Sequence, residues 1–283
     1  MTKSISSSAA AAAFAVGTLA VAAPAFADDA PTAPPSEVTI TGAASVVSQY
    51  RFRGLSQSDN KPVVQATATI THKSGFYLAF WGSSASANNT PINIGGTEID
   101  VWGGYSHALG KSGVTLDGGV YGYIYPGAPA GNYYELYADV AKSYGPVTAK
   151  AGVNFAPAQK VFDINFTSSH RVNTYVFGEL SVAPTGTPFV IHTHLGHTGG
   201  GFDYGKQYVD YTVGASYKYK ALTFDISLVG TNISKSDVAG ANFNGPGLGV
   251  AGGNCGRVIA SACTTFYHRP AKTVAVGSIT ASF

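Results

Sequence analysis

Two carboxylates stand two residues apart in TEIDVWGGY, Glu98 and Asp100, and two stand four apart in NYYELYADV, Glu135 and Asp139. Two guanidinium groups stand two apart in YRFRG, Arg51 and Arg53. In an extended chain, spacings of two and four put side chains on one face. Each pair therefore presents like charge to a common space: the acids a path or seat for cations, the arginines an anchor for anions. Asp117, Lys150, Glu179, Asp210 and Asp225 also lie inside apolar stretches and fall on the phase opposite their apolar neighbours. In NYYELYADV the apolar phase is Tyr134, Leu136, Ala138, Val140; in TEIDVWGGY it is Ile99, Val101, Tyr105; in LTFDISLVG it is Leu222, Phe224, Ile226, Leu228. All eleven charges obey this rule, so one face of the folded sheet admits no charge.

The remaining polar constellations point less directly to chemistry. In HTHLGH, His192 and His194 project to one side of a strand and could offer two imidazoles to a metal, but no cysteine or carboxylate joins them in sequence. They read as lumen-lining polar residues, and neither a resident metal nor a cofactor is expected. Cys255 and Cys263 lie eight residues apart in a Gly-rich segment and are expected to form a loop disulfide in an oxidising compartment. A catalytic serine would need a histidine beside it on the outer face, where His107 alone is clearly outward, and no serine can be paired with it. No enzymatic activity is expected.

The elements that position these charges are strands throughout. Alternation, bounded by Gly, Pro, Asn and Ser, predicts twelve: 38–53, 62–72, 75–84, 97–107, 113–125, 132–143, 146–156, 171–182, 188–196, 206–218, 221–231 and 272–283. Their connections alternate between tight turns (HKSG, LGKSG, SYGP, APTGT, YKA) and mostly longer segments, of which 232–271 is the longest. Only 11% of the 283 residues are charged, too few to cover a water-exposed surface. The chain also carries 35 glycines and 17 tyrosines. A secreted β-sandwich would turn its polar face to water and fill it with lysine and glutamate. A transmembrane up-and-down antiparallel β-barrel inverts that arrangement, with the apolar face on lipid, the charged face on an enclosed lumen, and closure leaving no unpaired backbone edge in hydrocarbon.

Residues 1–27, with Lys3, a short Ala/Val/Leu stretch and Ala25-Phe26-Ala27, have the form of a secretory signal peptide. Residues 28–37, rich in proline, read as a flexible periplasmic leader, and 38–283 as the barrel. Without Lys3 the bases number 16 against 15 acids, so nothing in the net charge calls for nucleic acid. Phe283 continues the alternation of the last strand and is expected to face lipid at the periplasmic interface, where aromatic side chains form a girdle.

The stretches YRFRGLSQSDNKPVVQ, GFYLAFWGSS, TEIDVWGGYSH, DGGVYGYIYPG and NYYELYADV, in this order and spacing, resemble the TorF-type porin family of proteobacteria. The likeness is dense over residues 46–145 and thinner beyond. It implies a porin-type barrel in the outer membrane of a Gram-negative bacterium. The terminal strand ending on Phe283 is similar to the signal read by the barrel assembly machinery, which with outer-membrane lipid and small solutes or ions makes up the expected partners.

The expected function is passive diffusion of ions or small hydrophilic solutes through a narrow, acid-rich lumen lined by the eleven charges. Arg51 and Arg53, high on the first strand, either face Glu98, Asp100 and Glu135 across the bore and set a transverse field, or pair with them and close it. Tyr121, Tyr123, Tyr125, Tyr133, Tyr137, Trp81 and Trp102 narrow the bore further. The alternative is a non-conducting barrel acting as an adhesin, receptor or structural protein, with the long last loop as its contact surface.

Overall fold

A computed structural model describes residues 37–86, 91–163, 170–239, 241–243, 253–254 and 260–283. Its frame is a closed barrel of twelve antiparallel strands in which each strand pairs with its neighbours in sequence and the last closes on the first. The strands are β1 (Val38–Val47), β2 (Val63–His72), β3 (Phe76–Ser84), β4 (Thr97–Ala108), β5 (Val114–Ile124) and β6 (Tyr133–Tyr144). They continue with β7 (Val147–Ala156), β8 (Asn173–Val182), β9 (Phe189–Gly200), β10 (Tyr208–Tyr219), β11 (Leu222–Thr231) and β12 (Val274–Ser282). β12 pairs back on β1, from Ala43 opposite Ser282 to Val47 opposite Ser278. Phe283 completes the seam: its N–H donates to the Gly42 carbonyl at 2.9 Å, and the Gly42 N–H donates to its carbonyl at 2.9 Å. The ring lies over Gly42, where a Cβ would stand 2.5 Å from it, so a side chain there would displace the ring.

The barrel is inside-out relative to a water-soluble domain. Outward Ile226 is 65% exposed and Leu136 48%, whereas inward Glu135 is fully buried. Burying a carboxylate while exposing isoleucine is unfavourable in water and favourable only if the outer medium is hydrocarbon. Around the tight-turn end the outer face carries aromatic pairs, Phe76 against Tyr105 at 4.9 Å and Phe189 against Tyr217 at 5.3 Å, with Tyr144, Tyr219 and Phe283 exposed beside them. Such a ring suits the boundary between apolar chains and polar headgroups.

Two expectations about the walls are corrected. The first strand ends at Val47, so Arg51 and Arg53 are not on the wall. The chain leaves it, enters the barrel mouth and forms a small hairpin in which Arg51 pairs with Ser56 and Phe52 with Leu55. Arg53 and Gly54 form its two-residue turn with φ of +46° and +77°. A turn with both central residues in the left-handed region matches strand twist, and glycine at the second position makes it accessible. The second correction concerns β9, which runs to Gly200 and so carries His197 within the strand, on the exposed face with Leu195. His107 is therefore not the one outward histidine.

The segment after β11 also folds back over the mouth. Helix α1 (Lys235–Ala239) is opened by a reciprocal cap: Asp237 accepts from the Ser234 N–H at 2.7 Å, and Ser234 Oγ accepts from the Asp237 N–H at 3.2 Å. Lys206, from the β9–β10 loop, reaches Asp237 at 2.8 Å. Burial raises the Asp237 pKa slightly, but the hydrogen bonds from Lys206 and Ser234 outweigh it and hold the carboxyl at about 2. Helix α2 (Ala260–His268) is tied down where the Tyr204 hydroxyl donates to the Tyr267 carbonyl at 2.8 Å. Residues 1–36 and Cys255 lie outside the described residues, so the signal peptide, most of the leader and the Cys255–Cys263 disulfide do as well.

Candidate functional site: the occluded lumen

Alternation within each strand delivers nine of the eleven charges to the lumen wall, and the inward hairpin delivers Arg51 and Arg53 between them. Space for the large inward side chains comes from inward glycines; a Cβ at Gly196 of β9 would lie 2.1 Å from the Tyr175 hydroxyl.

Arg53 stands at the centre. Its Nη2 donates to Glu135 Oε2 at 2.6 Å, with both side chains almost wholly buried. The same oxygen accepts from the Tyr123 hydroxyl at 3.2 Å and from Asn154 Nδ2 at 3.1 Å. The guanidinium also lies 4.2 Å from the Tyr175 ring centre and 4.7 Å from that of Phe52, within cation–π range. Among the described residues Arg51 meets no carboxylate: it donates to Gln49 Oε1, to Asn60 Oδ1 and to the carbonyls of Gly54, Pro270 and Lys272. It pins the hairpin to the segment before β12. The two arginines thus have separate roles, and a basic patch facing acids across an open bore is not what the geometry provides.

Beyond this contact the acids divide into two groups. Asp139 pairs with Lys150 at 2.9 Å, Asp225 with His192 at 2.7 Å, and His194 bridges Glu179 at 3.1 Å and Asp210 at 3.2 Å. The His192–His194 pair is thereby engaged by carboxylates that sequence spacing did not reveal, since they come from β8, β10 and β11. Among the described residues no group of three His, Cys, Asp or Glu has metal-holding geometry. The other group, Glu98, Asp100 and Asp117 on β4 and β5, has hydroxyl donors in place of cations. Tyr125 donates to Glu98 at 3.1 Å, Tyr121 to Asp100 at 2.9 Å and Tyr77 to Asp117 at 2.7 Å. Tyr77 is also hydrogen-bonded to Tyr137. Glu135, grouped with Glu98 and Asp100 by sequence, is already neutralised, and Asp117 takes its place on the uncompensated wall.

Open space remains on both sides of the hairpin. Below it, toward the tight turns, one cavity is lined by Trp81, Trp102, Asp100, Asp117 and Asp139. Another is lined by Gln49, Gln65, His192, Thr212 and Asp225. Tyr50, Lys150, Glu179 and His194 border both. Above it, toward the long loops, a chamber is bounded by Phe52, Arg53 and Leu55. Phe52 and Arg53 line both the chamber and the first lower cavity, so the hairpin tip is the partition between outer and inner space.

Comparison with known proteins agrees with this architecture. The model of a family of bacterial proteins of unknown function, Gcw_chp, matches residues 31–245. No curated protein matches the chain in sequence. Among solved structures, the KdgM porin in complex with disordered oligogalacturonate is similar with a TM-score of 0.50 at 10% identity, over 86% of this chain and 98% of that one. The COG4313 outer membrane channel from Pseudomonas putida F1 gives 0.46 at 13% identity, over 88% and 96%. At 10% identity the likeness to the KdgM porin speaks for the fold alone, that of a porin-like β-barrel.

Proposed function

We propose that this chain, which belongs to the Gcw_chp family of bacterial proteins of unknown function, forms a porin-like outer-membrane channel for small hydrophilic solutes and cations, closed at rest by its own hairpin. The observation that carries this reading is the partition itself. A polar, cavity-bearing lumen runs through an apolar-belted barrel and is interrupted at one level by the Phe52–Leu55 tip, held to the wall by Arg53 and Glu135. A barrel built only as a scaffold has no need of open space on both sides of such a tip. The resemblance of residues 46–145 to TorF-type porins supports the same reading. It also favours export by residues 1–27, residues 28–37 as a leader to the 38–283 barrel, and insertion by the barrel assembly machinery through Phe283.

Once the tip moves, Glu98, Asp100 and Asp117 are the wall charges without a cationic partner, so the open path favours cations over anions. Refolded protein in a planar bilayer tests this. The expected record is long closed periods with discrete openings whose reversal potential in a salt gradient reports cation preference. Replacing Glu98, Asp100 and Asp117 together by Gln, Asn and Asn lowers that preference at low salt and has little effect near 1 M, where the screening length is about 3 Å. A barrel without current before and after removal of the Arg53 contact identifies the alternative, a non-conducting receptor or scaffold.

A further inference from the structure

The chamber on the long-loop side of the hairpin differs in chemistry from the cavities beneath it. Ile92, Ile94, Tyr133, Val161, Phe202 and Tyr208 give it an apolar, aromatic wall. Among the described residues that line it there is no carboxylate, and its one charged group is Arg53. The cavity on the other side of Arg53 has four carboxylates on its wall, Asp100, Asp117, Asp139 and Glu179. The arginine is itself incompletely used: Nη2 donates to Glu135, while Nη1 is buried and has no hydrogen-bond partner. An orphaned donor on a buried cation costs free energy unless an acceptor reaches it.

An apolar enclosure with a donor-only cation recognises a molecule with one anionic end and an apolar body. The aromatic side chains narrow the class. Tyr133 stacks on Tyr123 at 4.2 Å, meets Phe202 edge-on at 4.9 Å, and Phe202 meets Phe162 at 5.0 Å, leaving ring faces and edges as the principal contacts. A phosphate dianion would lose more hydration here than a single guanidinium returns, whereas a carboxylate carries one charge and can accept from the unpartnered Nη1. We propose that this chamber is a binding site for small aromatic carboxylates, with the carboxylate on Nη1 of Arg53 and the ring against Tyr133 and Phe202. This inference goes beyond the channel reading and does not rest on conduction.

Isothermal titration of the refolded full chain in a nonionic maltoside tests it, with 3-phenylpropanoate as the probe and 3-phenylpropanamide as its uncharged counterpart. The acid is expected to bind and the amide to bind at least about tenfold more weakly, the loss that follows from a missing charge-assisted hydrogen bond. Arg53→Asn should weaken the acid by at least about tenfold. Ala128→Trp fills the chamber from its wall, away from the Arg53–Glu135 contact, and should abolish binding. If Arg53→Asn does not fold, the acid–amide comparison and Ala128→Trp decide the matter. Equal affinity for acid and amide, binding that survives Ala128→Trp as partition into micelles would, or no binding of the acid at millimolar concentration overturns the proposal. Any of these leaves the channel reading to its own bilayer test, and a barrel that never conducts could still bind the acid.

Discussion

Replacing Arg53 by asparagine separates what the residue does as a turn former from what it does as a cation. Asparagine tolerates the left-handed backbone at φ +46° better than arginine, so the hairpin turn is preserved or slightly relieved, by about 1 kcal/mol. The charge is lost, and Glu135 keeps only Tyr123 and Asn154 as donors, with Oε1 already unpartnered. Removing one member of a buried ion pair costs roughly 3–5 kcal/mol, because the survivor stays desolvated without compensation. Lost cation–π contacts with Phe52 and Tyr175 add to this, and the turn relief subtracts from it. A net cost of about 2–4 kcal/mol against the docked tip shifts its equilibrium by about 30- to 1,000-fold toward the undocked state. Arg51 continues to hold the rest of the hairpin through the Pro270 and Lys272 carbonyls, so the barrel stays folded while its tip swings. In planar bilayers the open fraction should rise steeply. Adding Glu135→Gln removes the stranded charge, so Arg53→Asn/Glu135→Gln should close again in part, with a coupling energy of about 2 kcal/mol or more from the double-mutant cycle. An open fraction unchanged in Arg53→Asn, or equal in the single and double variants, would refute the assignment of this pair as the lock.

Lysine at Leu136 or Ile226 puts charge on the outer belt and should cost roughly 2–4 kcal/mol near the midplane, whereas lysine at Thr212, which faces the lower cavity, should be far milder; urea unfolding in lipid vesicles compares them, and equal damage would contradict the strand phases. Phe283→Asp loses the ring over Gly42 and puts a carboxylate at the seam, so exported protein should accumulate unassembled; normal heat-modifiable migration on a gel would count against the assembly role. The Asp237 contacts should stabilise the mouth fully above about pH 4 and weaken as pH falls through the folded value of about 2, because between those values the unfolded carboxyl takes up the proton that the folded one still refuses. Asp237→Asn should remove that pH dependence and speed protease cleavage of the loop at neutral pH, and identical cleavage profiles would show that the Lys206–Asp237 contact does not hold it.

The barrel was legible because its rule is local. Whether Glu135 and Asp139 point in or out depends only on their phase relative to Tyr134, Leu136, Ala138 and Val140, and the structure keeps that phase through all twelve strands. The inward path of Arg51 and Arg53 was not legible. RFRG continues the alternation of β1 across a break, and periodicity alone cannot distinguish a strand that climbs the wall from one that turns off it. The signal was present in Arg53-Gly54, two residues able to occupy the left-handed turn, although arginine in the first position hides a motif usually written with asparagine. The partners of His192 and His194 were hidden for another reason. Asp225, Glu179 and Asp210 lie on three different strands, and their approach depends on register and barrel shear, which a single sequence does not encode in readable form.

The same distinction between local and non-local information explains where the functional asymmetry arises. Composition assigns the lumen an excess of acids, but the effective excess is set by which acids are paired across it. Lys150, His192, His194 and Arg53 engage Asp139, Asp225, Glu179, Asp210 and Glu135, all on or facing the sector from β6 round to β11. The β4–β5 wall retains Glu98, Asp100 and Asp117 with tyrosine hydroxyls only. A neutral donor holds a carboxylate in place without supplying opposite charge, whereas the five acids of the other sector each meet a basic side chain. The hairpin comes to rest on the compensated sector, where its one free guanidinium finds Glu135. Among the described residues Glu98, Asp100 and Asp117 keep hydroxyl donors only, and the channel proposed above rests on this division: one ion pair to close the path and three acids to select what passes when it opens.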